Sequence, residues 1–251
     1  MDLKTIMTGI YALTHHSLKG LLFSRKAVIT ALVMLLTVAV MGYAGAQDVD
    51  ALTEGANMMD VLILFFFMPV MAMIFGSSLI RDEIDSKSIT HVATAPLDRA
   101  FAYIGYYVPL ALAVSVSMIL ITTAGFLSFF LQQGIDAAAI EIYLEFTTLV
   151  IIGSFVYSSL FLATSVLFNK PVFFGLFYAF IWEGFIGSIP GAIQKASVKH
   201  YLRSVGSGWV DYGDISGFDA SSIGASTAVL LGLTVFFLVF GAYLFREKEL
   251  S

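Results

Sequence analysis

Uncharged apolar runs separated by short charged stretches make up nearly the whole chain. A backbone crossing lipid must satisfy its own hydrogen bonds, and a charge at mid-depth is costly, so charge-free runs mark membrane spans. The runs predict spans at residues 27–46, 61–80, 108–131, 146–168 and 226–245, with a further span at 171–189 that Glu183 interrupts. The third run already begins at residue 100 and exceeds one bilayer thickness. Phe101, Tyr103, Tyr106 and Tyr107 are therefore expected as an aromatic belt at the interface.

The stretches between these runs carry their own patterns. Leu3, Ile6, Met7, Ile10, Leu13, Leu18, Leu21 and Leu22 recur at helical spacing, with Lys4, Thr8, His15 and Lys19 opposite. That pattern predicts an amphipathic helix over residues 1–25, lying in the membrane interface and bending through Ser24-Arg25-Lys26 into the first span. A cleaved signal peptide ending at Ala44-Gly45-Ala46 is not expected, because the apolar run and the segment before it are both too long. Residues 81–99 hold the densest charge cluster of the chain: Arg81, Asp82, Glu83, Asp85, Lys87, His91, Asp98 and Arg99. Pro96 disfavours helix at Ala95, and Asp98 is placed to cap the third span, so a short separate helix is expected from about Ser86 to Thr94. After the fifth span, Gly184, Gly187, Pro190 and Gly191 cluster where a full span would otherwise continue. Irregular backbone at that depth requires protein or a water-filled cavity around it, and a long segment, 190–224, follows.

Composition narrows the function. The chain of 251 residues is 59% hydrophobic and 12% charged, with a mean hydropathy of +0.90. Soluble domains carry about 25% charged residues, so a soluble globular enzyme is excluded. A net charge of −5 disfavours nucleic acid as a partner. With six spans both termini share a side, and the cations select it: Lys4, Lys19, Arg25, Lys26, Arg81, Lys87, Arg99, Lys170, Arg246 and Lys248 fall on one face, Lys195, Lys199 and Arg203 on the other. The cation-rich face is expected to be cytoplasmic. Asp48, Asp50, Glu54, Asp60, Asp136, Glu141, Asp211, Asp214 and Asp219 are then assigned to outer loops.

Catalytic chemistry finds no foothold. There is no cysteine and no GxxxxGK[ST] phosphate loop, so the chain is not itself an ATPase. His15, His16, His91 and His200 lie outside the spans without metal-ligand spacing, and Ser226 in Gly224-Ala225-Ser226 has no base at its depth. No catalytic residue, metal or cofactor is expected in this chain. Glu183 is the one ionisable residue inside a predicted span, and such acids are functional candidates by default. At about 1.5 Å per residue it lies roughly 18 Å from the inner end, beyond the midplane. It could touch a substrate, or hydrogen-bond the re-entrant backbone or a base such as Lys195, Lys199 or Arg203 and so hold an outer gate. Trp182, Gly184 and Pro190 complete that candidate set.

Arg81-Asp82-Glu83, Lys87-Ser88-Ile89, Thr94-Ala95-Pro96-Leu97-Asp98-Arg99 and Tyr103-Ile104-Gly105 together resemble the coupling region of type-two ABC exporter permeases. Lys87-Ser88 stands where Gly-Thr is usual in that family, and Tyr106 where Lys is usual. Trp182-Glu183-Gly184, Pro190-Gly191 and His200-Tyr201-Leu202 are similar to the fifth-span exit of some members. The resemblance implies an all-α membrane domain of six helices with an elbow helix, a cytoplasmic coupling helix in 81–99 and a re-entrant outer segment. It implies a permease subunit, an exporter of the cell (inner) membrane, that pairs with a second permease copy. Separate ATP-binding subunits carrying ATP and Mg would dock at Arg81, Asp82, Glu83, Asp85, Lys87, His91, Pro96, Asp98 and Arg99. The alternative is an ATP-independent secondary transporter or channel with Glu183 as its ion or proton site.

Overall fold

The computed structural model describes residues 25–85, 99–185, 187, 189, 192–209 and 218–247. The expected elbow helix before residue 25, the coupling residues Lys87, His91, Pro96 and Asp98, and Pro190 lie outside the described residues. Described elements are all helical. Helix α1 is Arg25–Gly45. Helix α2 is composite, running from Ala51–Met58 through a wide π-helical stretch, Met59–Phe67, into Met68–Asp85. Helices α3 (Arg99–Gln133) and α4 (Ala137–Leu167) follow. Helix α5 joins Pro171–Leu176 to a second π-helical stretch, Phe177–Phe185. A short 3-10 turn, Ala192–Ala196, leads to α6 (Val198–Gly206), and α7 is Ile223–Glu247.

Five of these helices are long and apolar enough to cross a membrane, and α5 is shorter. The chain is a multi-pass membrane protein in this sense. The second helix begins ten residues before the charge-free run that marks it in the sequence, so Asp60, expected in a loop, sits inside helical backbone. Helix α3 is likewise continuous from Arg99 and carries Pro109 inside it, whose missing N–H removes one helical bond. Tyr103, Tyr106 and Tyr107 are buried within the bundle and do not form the interfacial belt expected of them. Their rings serve helix packing instead: Tyr103 lies 5.9 Å from Phe245 of α7, and Tyr107 donates to the Phe155 carbonyl of α4 at 3.2 Å. Phe101 alone of that group remains exposed.

Helix α4 is the centre. Of its most apolar stretch 83% is buried, against 11% for α1 and 17% for α7, so the latter two form the periphery. Asp136 caps it, accepting from the Ala139 amide at 2.8 Å, after a three-residue link in which Gly134 takes a φ of +106°. Ser154 and Ser165 return their hydroxyls to carbonyls of their own helix, to Val150 at 2.7 Å and to Leu162 at 2.6 Å, which satisfies them without a partner helix. Helices approach closely at glycines, as membrane helices do where dispersion alone drives packing. Gly153 of α4 faces Met68 of α2, Gly76 of α2 faces Phe161 of α4, and Gly241 of α7 leaves room only for the Tyr103 ring. We call the end of the bundle at Gly45, Gly134 and α6 distal, and the end at Asp85 and Arg99 proximal.

The Gly241 contact is a direct check on this packing. Gly241→Ala puts a methyl group into the Tyr103 hydroxyl and ring edge, and overpacking of this kind costs about 1–3 kcal/mol. Thermal unfolding in detergent is expected to show a lowered midpoint for Gly241→Ala and a partial recovery when Tyr103→Phe is added.

Candidate functional site

The distal end gathers the buried charge. Helix α6 begins buried, at Val198, Lys199 and His200, and the first N–H groups of any helix have no partner within it. All three at the start of α6 are satisfied. Ser197, the N-cap residue, accepts from the His200 amide through Oγ at 3.2 Å. Glu183, 1% exposed, supplies the other two acceptors from α5: Oε1 accepts from the Val198 amide at 2.9 Å and Oε2 from the Lys199 amide at 3.1 Å. The Tyr178 hydroxyl also donates to Oε1, at 2.6 Å. A negative carboxylate at a helix N-terminus is further favoured by the helix dipole.

The second acid is Asp60, also 1% exposed. Arg203 of α6 grips it with two groups: Nε donates to Oδ1 and Oδ2 at 3.1 and 3.0 Å, and Nη2 donates to Oδ2. This two-pronged geometry is the strong form of an Arg–carboxylate pair. The Phe65 ring lies beneath both cations of α6, with the Lys199 Nζ 2.7 Å and the Arg203 guanidinium carbon 5.2 Å from its centre. Two carboxylates and two basic side chains thus share one buried site, whose charge balances when Lys199 is protonated. Around it, the Trp182 indole donates to the Ala196 carbonyl at 3.1 Å, His200 Nε2 pairs with Ser221 Oγ at 3.0 Å, and Ser204 Oγ accepts from the Ser221 amide at 3.1 Å. Those bonds hold the chain on either side of α6. The exposed Lys195–Asp219 pair, at 3.7 Å, adds little.

The π-helical stretches explain how the acids reach this site. In an α-helix, residues five apart lie about 140° apart around the axis. The wider π turn, bonded from i to i+5, brings them onto one face. Asp60 and Phe65 are so related in α2, and Tyr178 and Glu183 in α5. The two wide stretches touch through Phe66 and Phe180, edge to face at 5.7 Å. Each therefore turns one acid and one aromatic group toward the same short helix.

Of the candidate residues read from sequence, Trp182 and Glu183 meet in this site, and Gly184 lies beside them in α5. Arg81, Asp82, Glu83 and Asp85 occupy the last turns of α2 and Arg99 opens α3, all at the proximal end. Asp60 is the residue that the charge-free-run rule misplaced: Glu183 is not the sole ionisable group within a bundle helix. A legible signal was Asp50, which stands at the N-cap of α2 and whose carboxylate accepts from the Thr53 hydroxyl at 2.7 Å. A helix opening at residue 51 would have taken Asp60 inside. Lys199 and Arg203, four apart on α6, were the matching cations.

Lys199 gives the site a pH response. Burial lowers its pKa from 10.5 to about 7, the neighbouring Arg203 adds to that, and Asp60 and Glu183 oppose it. The folded chain then binds fewer protons than the unfolded chain between about pH 7 and 10.5, so this group makes stability rise with pH across that window. Thermal midpoints measured from pH 7 to 9 are expected to rise more steeply for the natural chain than for Lys199→Met. Burial also lowers the His200 pKa, assisted by Lys195 and opposed by Asp219. For Glu183→Gln, the replacement amide turns an N–H toward backbone donors. Leaving such groups unsatisfied costs about 1–3 kcal/mol, and hydrogen exchange at the Val198 and Lys199 amides is expected to accelerate.

The profile of the ABC-2 family transporter proteins matches residues 22–187, which takes in α1 to α5 with both acids and stops before α6. No curated protein matches the chain. With a bundle of membrane-crossing helices and that match over well more than half of its length, the chain belongs to the ABC-2 transporter family as a membrane-spanning permease.

Proposed function

We propose that this chain is the transmembrane subunit of an ABC exporter, driven by separate ATP-binding subunits that hold ATP and Mg and dock at its proximal end. The observation that carries this reading is the reach of α2. Its charge-free run ends at Ile80, but the helix continues to Asp85. At about 1.5 Å per residue the charged turn stands roughly 7 Å beyond the apolar part, where a partner can push on it. Arg81, Asp82, Glu83 and Asp85 ride on that projection, with Lys87, His91, Pro96, Asp98 and Arg99 following in the chain. The distribution of cations supports a cytoplasmic side for this end and for both termini, in an inner-membrane protein by the same reading.

In this reading α5 is the sixth membrane helix, a span shortened because its far end widens and stops at Phe185. Two copies of the chain face each other to form the path, and the site at Glu183 closes its outer mouth. ATP hydrolysis resides in the partner, since this sequence lacks a phosphate loop. Trp182, Gly184 and Pro190 belong to the same outer gate.

One observation favours an ATP-independent transporter with an ion or proton site: Asp60, Tyr178, Lys199 and Arg203 converge around Glu183. Against it, the Glu183 carboxylate already takes three donors, which leaves a cation little to bind.

Purification of the tagged chain from its native membrane in mild detergent tests the choice. An ATP-binding protein is expected to come with it in matching amount, and the charge reversal Glu83→Arg is expected to reduce that recovery severalfold while leaving the chain intact. A chain recovered alone and folded overturns the exporter reading and directs attention to proton- or cation-linked flux.

A further inference from the structure

Helix α6 is attached to two different membrane helices by different means. Glu183 of α5 holds its backbone at the N-terminal end. Asp60 of α2 holds the side chain of Arg203, more than a turn further along. Parting α2 from α5 at the distal end therefore requires that one attachment give way or that α6 follow one of them. Asp60 also shares a helix with the proximal charges. From Asp60 to Arg81 the backbone of α2 is helical throughout, a rod of roughly 30 Å at about 1.5 Å per residue. Pro69 removes one hydrogen bond from this stretch, but the backbone stays helical on both sides of it, so a shift applied at Arg81–Asp85 is carried to Asp60 through continuous helix. The pair there is suited to transmit it: buried, two-pronged and directional, with Phe65 from the same turn filling the space under Arg203 and Lys199.

We propose that the Asp60–Arg203 pair is a latch through which α2 sets the position of α6, so that displacement of the proximal end of α2 moves the distal closure. The latch rests on the permease reading for the identity of what drives α2, but not for its own existence. Its residues are positioning residues: they act on the closure through α6. Removing one partner of a buried ion pair leaves an uncompensated charge, whereas replacing both with apolar groups of similar size is often tolerated. That difference separates a latch from a mere contribution to folding.

The chain contains no cysteine, so a single introduced thiol reports without background. Ser204 is fully buried in α6 beside Arg203, and Ser204→Cys reacts with a membrane-impermeant maleimide only when α6 lifts. With the chain in lipid nanodiscs, adding Asp60→Asn is expected to speed labelling on the order of tenfold, the scale of a local opening made easier by loss of a buried pair. The double variant Asp60→Leu with Arg203→Met is expected to fold and to label fast as well. The exchanged pair, Asp60→Arg with Arg203→Asp, is expected to restore slow labelling. Slow labelling in the folded apolar double variant, or no change with Asp60→Asn, overturns the latch.

A second arm uses the complex with its ATP-binding subunit. A non-hydrolysed ATP analogue is expected to change the labelling rate at Ser204→Cys with Asp60 and Arg203 present, and to leave it unchanged in the apolar double variant that still hydrolyses ATP. An equal response in both overturns the latch. If no ATP-binding subunit is recovered, the permease reading falls, and the latch is decided by the partner-free rates alone.

Discussion

A helix that starts buried has amide protons and no water to receive them, and Val198–Gly206 starts in that way. Its solution is to borrow a carboxylate from another helix. Because Glu183 must sit within hydrogen-bond reach of the Val198 and Lys199 amides, the end of α5 and the start of α6 are fixed to each other, at 2.9 and 3.1 Å. The 3-10 turn between them, the Trp182 bond to Ala196 and the packing of α6 on α4 and α7 all follow from that placement. Unsatisfied backbone is what the distal end cannot tolerate.

Borrowing a charge creates the next constraint. A buried carboxylate without a counter-charge is costly, and Arg203, with Lys199 when it is protonated, brings the site toward balance. The balance rests on helix geometry as much as on composition. In a regular α-helix Asp60 and Phe65 would point to different neighbours, as would Tyr178 and Glu183. The widened turns align each pair, and they do so at the same height because Phe66 packs on Phe180. Widened turns are a recurrent feature of functional sites in helices, and here their role can be named: they aim acids at a single short helix.

Much of this was legible in the amino-acid order. The apolar runs locate the membrane helices because lipid excludes unpaired charge. Glu183 stood out as an acid in an apolar run, and its hydrogen bonding to backbone was one of two readings open from the sequence. Asp60 did not stand out, because a rule that ends spans at charges cannot see a charge whose counter-ion lies 143 residues away. The buried tyrosines of α3 were misjudged for a related reason. Tyrosine suits a membrane interface and a helix contact equally well, and the local pattern does not say which; the glycine at 241 that makes room for Tyr103 lies in the last helix. Pairings between distant segments are what one-dimensional patterns leave undetermined.

The same 143-residue separation has a consequence for how the protein is made. At a synthesis rate of about 5–20 residues per second, Asp60 is joined to the chain roughly seven to thirty seconds before Arg203. During that interval the second helix carries an unanswered acid at its distal end, and α5, with the other acid, also arrives before α6. The contacts that tie the two distal ends to α6 form only once α6 is delivered, which makes a nine-residue helix the piece that joins a helix translated long before it to one translated just before it.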